Sequence, residues 1–124
     1  MVSILNSIKQ MLGVGVEDTN FDQELVIHIN GALMILNQLG IGPPKGIVIT
    51  GADETWTELI GDRTDLELIK SDVYLRVRLI FDPPQNSFLV SAIQKQIEEY
   101  DWRIEVQHKP GAMEPLEPGS EMED

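Results

Sequence analysis

The sequence predicts an all-α fold: a small bundle of about four helices, a short irregular or single-strand segment in the middle, and an extended acidic C-terminal tail. Three observations carry this reading. Apolar residues recur at three- and four-residue spacing through four segments, the signature of helices with one buried face. Glycine or proline closes these segments, as at "LGIGPP" and "FDPP". The one short β-branched run between glycines, "GIVIT", has no hairpin partner nearby, so no sheet is expected.

The first element follows Ser3, which can cap a helix carrying Ile4, Leu5, Ile8, Met11 and Leu12, with Gly13 ending it. "GVGVED" reads as a loop. The pattern "DTNFDQELVIHINGALMILNQLG" is the longest helical one in the chain. Asn20 and Gln23 have capping-box spacing, and Asp22 and Glu24 suit the positive end of the helix dipole. Phe21, Leu25, Ile29, Ala32, Leu33 and Leu36 form one stripe, which Val26, Met34 and Ile35 widen. A surface that wide implies burial on two sides, against the core and against a neighbour. Gly40, Pro43 and Pro44 stop this helix.

The middle of the chain is a compact loop that packs an aromatic over the helices. "GIVIT" supplies at best one strand, and "TWTEL" one helical turn with Thr55 and Glu58 as a capping box beside a buried Trp56. "TDLELIKSDVYLRVRLIF" matches both periods in part. Leu66, Ile69, Val73, Val77 and Ile80 follow a helical stripe, Thr64 and Glu67 have capping-box spacing, and eighteen residues exceed an ordinary strand. Helix is the better reading. The last helix, "NSFLVSAIQKQIEEYDWRIEV", aligns Leu89, Ile93, Ile97, Tyr100 and Ile104. The chain thus divides into a helical domain, residues 1–108, and an acidic Pro/Gly-rich tail, residues 109–124.

Between the last two helices lies the corner Phe81, Asp82, Pro83 and Pro84. Each proline pushes the residue before it out of the α region, so the helix stops there. Asn86 or Ser87 caps the next helix, Phe81 and Phe88 pack across the corner, and Asp82 accepts backbone hydrogen bonds as a turn residue.

Composition narrows the function. At 124 residues the chain is one domain, and no apolar run approaches the roughly 20 residues of a membrane-spanning helix. The N-terminus lacks a basic region followed by a continuous apolar stretch, so export by a signal peptide is not expected. With no cysteine, thiolate chemistry and disulfides are excluded. Twenty-one acids against nine bases give −12; five acids and one lysine place −4 of this in the last 16 residues and leave −8 for the rest. Such a surface repels a phosphate backbone, so tight wrapping of DNA is disfavoured. A basic partner, or a surface that DNA passes without sticking, is compatible with it.

No motif specifies a reaction, and neither a catalytic, a metal nor a cofactor site is expected. His28 lies four residues after Glu24, but no third ligand accompanies them. His108, at a helix end, suits the dipole. "LGIGPPKG" lacks the hydroxyl that follows a P-loop lysine, and its prolines remove donors. "EEYDWRIE" reads as a solvated helix face. Arg76 and Arg78, with Lys70 and Arg63 upstream, are too scattered for a nucleic-acid patch and suit carboxylates within the chain or across a subunit boundary. Tyr100 falls on the apolar stripe and is expected in the core. Trp102 lies off it and reads as an interface residue.

"IKQMLG", the acidic loop, the "TNFDQELVIHINGALMILNQLG" helix and "YLRVRLIFDPPQNSFLVSAIQKQIEEYDWRIEV" together resemble the small helical head–tail connector (adaptor, DNA-packaging) proteins of tailed bacteriophages. The similarity spans residues 3 to about 107, and "FDPP" with the closing Tyr-x-Trp-Arg is its most specific part. It implies a virion structural protein at the neck, assembled in the host cytoplasm, and not an enzyme. It further implies a ring, usually of twelve subunits, docked beneath the portal protein. Such a ring extends the DNA channel and presents a platform for a stopper or tail-completion protein. Arg76, Arg78, Trp102, Arg103, Met113 and Leu116 are the expected interface residues, the last two as apolar anchors of the tail on the portal or an adjacent subunit. The alternative is a small acidic DNA-mimic or anti-defence protein that binds a basic nucleic-acid-binding partner.

Overall fold

The computed structural model describes residues 3–61 and 65–108. The described residues form five helices and no strand: α1 (Ile4–Leu12), α2 (Asp22–Gln38), α3 (Trp56–Ile60), α4 (Leu66–Phe81) and α5 (Ser87–His108). The all-α expectation holds. The fifth helix is the single turn α3, and the period ambiguity over α4 resolves as helix.

α1 starts where the sequence says it should. Ser3 Oγ accepts from the Asn6 N–H at 3.1 Å, and Gly13 closes the helix at φ 83, where its N–H donates back into the last turn. Ile4, Leu5 and Ile8 are fully buried. So is Lys9, whose Nζ lies 2.7 Å from Asp22 Oδ1 and donates to the Val16 carbonyl at 3.0 Å. This buried ion pair joins the end of α1 to the start of α2, and burial of a lysine demands such partners.

α2 begins at Asp22 with Phe21 in the cap position and no side-chain cap, so the Asn20–Gln23 capping box does not form. The Asn20 N–H turns instead to Asp18 Oδ1 at 3.0 Å. Phe21 meets Phe81 edge-on, with ring centroids 5.4 Å apart. The stripe Leu25, Ile29, Ala32, Leu33 and Leu36 is buried as its spacing requires, whereas Met34 and Ile35 remain exposed.

Residues 41–55 cover the core without regular structure. "GIVIT" is not a strand: Asn30 of α2 takes the place of a neighbouring strand by donating to the Ile49 carbonyl at 3.0 Å and accepting from its N–H at 2.8 Å. Asn37 does the same for the carbonyls of Ile41 and Pro43, both at 2.8 Å. Ile41 and Ile49 are thereby buried with their backbones satisfied. The Thr55–Glu58 capping box is formed. It presents Trp56 to the core, where Nε1 donates to Ser7 Oγ at 3.0 Å.

α4 is the central helix and packs on α1, α2 and α5. Ile69, Val73 and Val77 fill the core from it. Asp65 occupies its cap position without a side-chain cap, and Thr64, expected there, lies outside the described residues. α5 has α4 as its main support; Ile97, Ile104 and Val106 are buried along it.

Asn30 carries both backbone groups of Ile49, so Asn30→Ala is expected to lower stability by about 2 kcal/mol. Urea unfolding of the purified chain measures this, and an unchanged midpoint would show that Asn30 does not hold the loop.

Candidate assembly interface

α4 and α5 form a helical hairpin in which α5 packs mainly on the central helix α4. Phe81 ends α4, Asp82 follows with φ −149 and ψ 66, and Asn86 Oδ1 caps α5 by accepting from the Phe88 and Leu89 N–H groups at 2.7 and 3.4 Å. Two details of the corner differ from expectation. Phe88 is 83% exposed, and it is Phe21 that meets the Phe81 ring, in a T-shaped contact. The Asp82 carboxylate accepts no backbone N–H among the described residues; Pro83 and Pro84, the nearest candidates, have none to give.

One ionic cluster fixes the hairpin. Arg76 Nε donates to Asp72 Oδ1 at 2.6 Å on its own helix, and Nη2 donates to Asp101 Oδ2 on α5. Asp72 has no exposed surface, and Asp101 is partly buried. Arg76 therefore binds two helices of its own chain together, while its side chain also lines the groove described below. The remaining oxygens, Asp72 Oδ2 and Asp101 Oδ1, are buried without a donor. Burial, and then the Asp101 carboxyl, push the Asp72 pKa up to about 8 against the pull of Arg76.

The hairpin has two open flanks. On one side α2, α4 and α5 enclose a groove of about 620 Å³. Its apolar wall comes from Ile27, Gly31 and Ile35 of α2, Leu79 and Ile80 of α4, and Ile97 of α5. Ile27 is 65% and Ile80 63% exposed. His28, Glu98 and Asp101 stand at its polar edge. His28 Nε2 lies 3.4 Å from Glu24 Oε2, and no group of three metal-ligating side chains occurs among the described residues. On the other side a shallower cleft runs between Leu75 and Arg78 of α4 and Leu89, Ile93 and Tyr100 of α5. Tyr100, expected in the core, is half-buried here because no other described element covers this flank.

The other expected interface residues are scattered. Arg78 lines the second cleft and reaches only Tyr74 Oη, at 3.5 Å. Trp102 is 57% exposed on the outer side of α5. Arg103, also exposed, is held by Glu99 Oε2 at 2.8 Å one turn earlier. Met113 and Leu116 lie outside the described residues. The groove was not foreseen as a unit, although the exposed half of α2's wide apolar surface was its signal. Asp72 was missed, although its four-residue spacing from Arg76 was visible.

A small helical domain whose buried charges pair with one another, and whose open surfaces are apolar, has the makings of an assembly protein. The family model described as phage connector protein matches residues 4–111, and the chain belongs to that family. No curated protein and no solved structure matches significantly. The family is structural rather than enzymatic, and membership assigns the protein to the phage head–tail connector at the neck of the virion. Association with portal and tail proteins follows at the level of the family. Among the described residues no helix is long and apolar enough to cross a membrane.

The ionic cluster has a pH signature. Folded Asp72 keeps its proton up to about pH 8, whereas an unfolded aspartate releases it near 3.8. The native state thus binds the extra proton between these values, and stability is expected to fall as pH rises from about 4 to about 8. Asp72→Asn mimics the protonated form and should flatten this part of the profile in urea titrations at stepped pH. Arg76→Met, which leaves the carboxyls uncompensated, should cost about 3 kcal/mol. An Asp72→Asn profile as steep as that of the parent would show that Asp72 does not hold the extra proton.

Proposed function

We propose that the protein is the ring-forming adaptor of the connector, docked beneath the portal, extending the DNA channel and carrying a stopper or tail-completion protein on its far side. The observation that carries this reading is the α4–α5 hairpin, open and apolar on two unlike flanks, within a chain that matches the connector family over residues 4–111. Unlike flanks on one subunit favour head-to-tail contacts, which close into a ring when the rotation permits. Twelve is the number suggested by the resemblance. The net charge of −12 suits a lumen past which DNA slides, since like charge discourages binding to the phosphate backbone.

The outer side of α5, with Phe88 and Trp102, is left for a partner other than a sister subunit. The acidic tail, residues 109–124, supports docking on the portal or an adjacent subunit through Met113 and Leu116. Assembly in the host cytoplasm and the division into a helical domain and a tail belong to the same reading. A DNA mimic has no use for open apolar flanks, and nothing in the fold favours that alternative.

Two measurements test the reading. Mass spectrometry and imaging of purified virions are expected to find many copies in a ring at the neck; absence from the particle would end the proposal. Deleting residues 109–124 should leave the helical circular dichroism intact while reducing attachment to portal-bearing capsids at least tenfold. Unchanged attachment would remove the tail from the docking surface.

A further inference from the structure

The groove between α2, α4 and α5 is open to an occupant, and four features bear on which one. Its wall is apolar, with Ile27 and Ile80 each more than half exposed. Midway along α2 this wall contains Gly31, a residue that weakens a helix interior. A Cβ built there would meet no atom within 4 Å, so nothing among the described residues requires the glycine. Space above a helical glycine admits close approach of another surface. The edge of the groove carries Glu98, which makes no ion pair among the described residues, and Asp101, already committed to Arg76.

The charge on that edge selects among occupants. The chain's own tail carries −4 and would meet Glu98 with like charge, while Asp101 and Arg76, both lining the groove, balance one another. The opposite flank of the hairpin offers the complement: Leu75, Leu89 and Ile93 around Arg78, a guanidinium that meets no carboxylate among the described residues. The two flanks use different stripes of α5, Gln94, Ile97, Glu98 and Asp101 on one side and Leu89, Ile93, Gln96 and Tyr100 on the other. One copy can therefore use both at once.

We infer that the Arg78 flank of one copy seats in the α2/α4/α5 groove of the next, with Arg78 set against Glu98 and the flank's apolar residues passing over Gly31. The inference rests on the ring reading and names its subunit contact. The contact is heterologous, so each copy has one flank and one groove to offer and the chain of contacts ends only by closure.

Charge reversal tests it on the full chain, with assembly followed by native mass spectrometry and folding by circular dichroism. Arg78→Glu and Glu98→Arg each place like charges together and should raise the concentration needed for association at least roughly tenfold. The double variant R78E/E98R restores the opposite-charge pair and should return association to the parent level. Gly31→Leu fills the groove. It should raise the melting temperature, through better helix propensity, while abolishing association, a combination that a folding defect cannot produce. If the parent assembles but the single reversals assemble equally well, or the folded double variant shows no rescue, this pairing is overturned and the ring reading stands. A parent chain that is monomeric in solution and absent from rings in the virion overturns both.

Discussion

The hairpin's shape depends on the Arg76 guanidinium held between Asp72 and Asp101. α5 has α4 as its main support, and few of its apolar residues are buried. Packing a helix on one neighbour leaves its rotation and tilt weakly specified, because a single apolar stripe tolerates sliding. A bidentate guanidinium is less tolerant, since its planar donors demand acceptors in fixed directions. Arg76 takes one acceptor from each helix and so sets their register. Two carboxyls face one cation in a buried place, and burial there holds the Asp72 pKa well above its ordinary value. The position of α5 then fixes both flanks, since each is walled by α4 and α5 together.

The same device, a polar side chain substituting for missing secondary structure, recurs around the core. Asn30 completes the backbone of Ile49 where a sheet would have done so, and Asn37 caps two carbonyls of the "GIGPP" turn. Lys9 and Asp22 clasp α1 to α2. Each of these contacts fixes a segment whose apolar area alone would not locate it. They allow a chain of modest core to hold residues 41–55 in place without a sheet or a disulfide.

What the sequence made legible follows from range. Helices α1, α2, α4 and α5 rest on local periodicity, and their ends on Gly13, Gly40, Pro83 and Pro84, all read within a few residues. The Ser3 cap and the Thr55–Glu58 box are equally local. Pairings across long separations were hidden: Asn30 with Ile49, Arg76 with Asp101, Trp56 with Ser7. The Asn20–Gln23 box failed for a related reason, since Phe21 takes the cap position and packs on Phe81, sixty positions away in sequence. Of the candidate interface, the residue types could be named but not grouped. Arg76 and Arg78 are two apart on one helix, yet one is consumed inside the hairpin and the other faces outward.

The exposed half of the apolar pattern is the more telling part. Ile80 and Leu89 fit the periodic stripes of α4 and α5, yet both are open to solvent. A stripe longer than the core it covers would be a liability in a protein that worked alone, since open apolar flanks invite aggregation. In the ring proposed above it is a requirement, because a subunit set between two neighbours must carry an apolar surface on each side before they arrive. The acidic charge moderates the liability: at −12, free copies repel one another at a distance, and only closely fitted flanks overcome that repulsion. On the proposed reading, net charge opposes association of dilute copies, and the apolar stripes that outrun the monomer's core take effect only at close range.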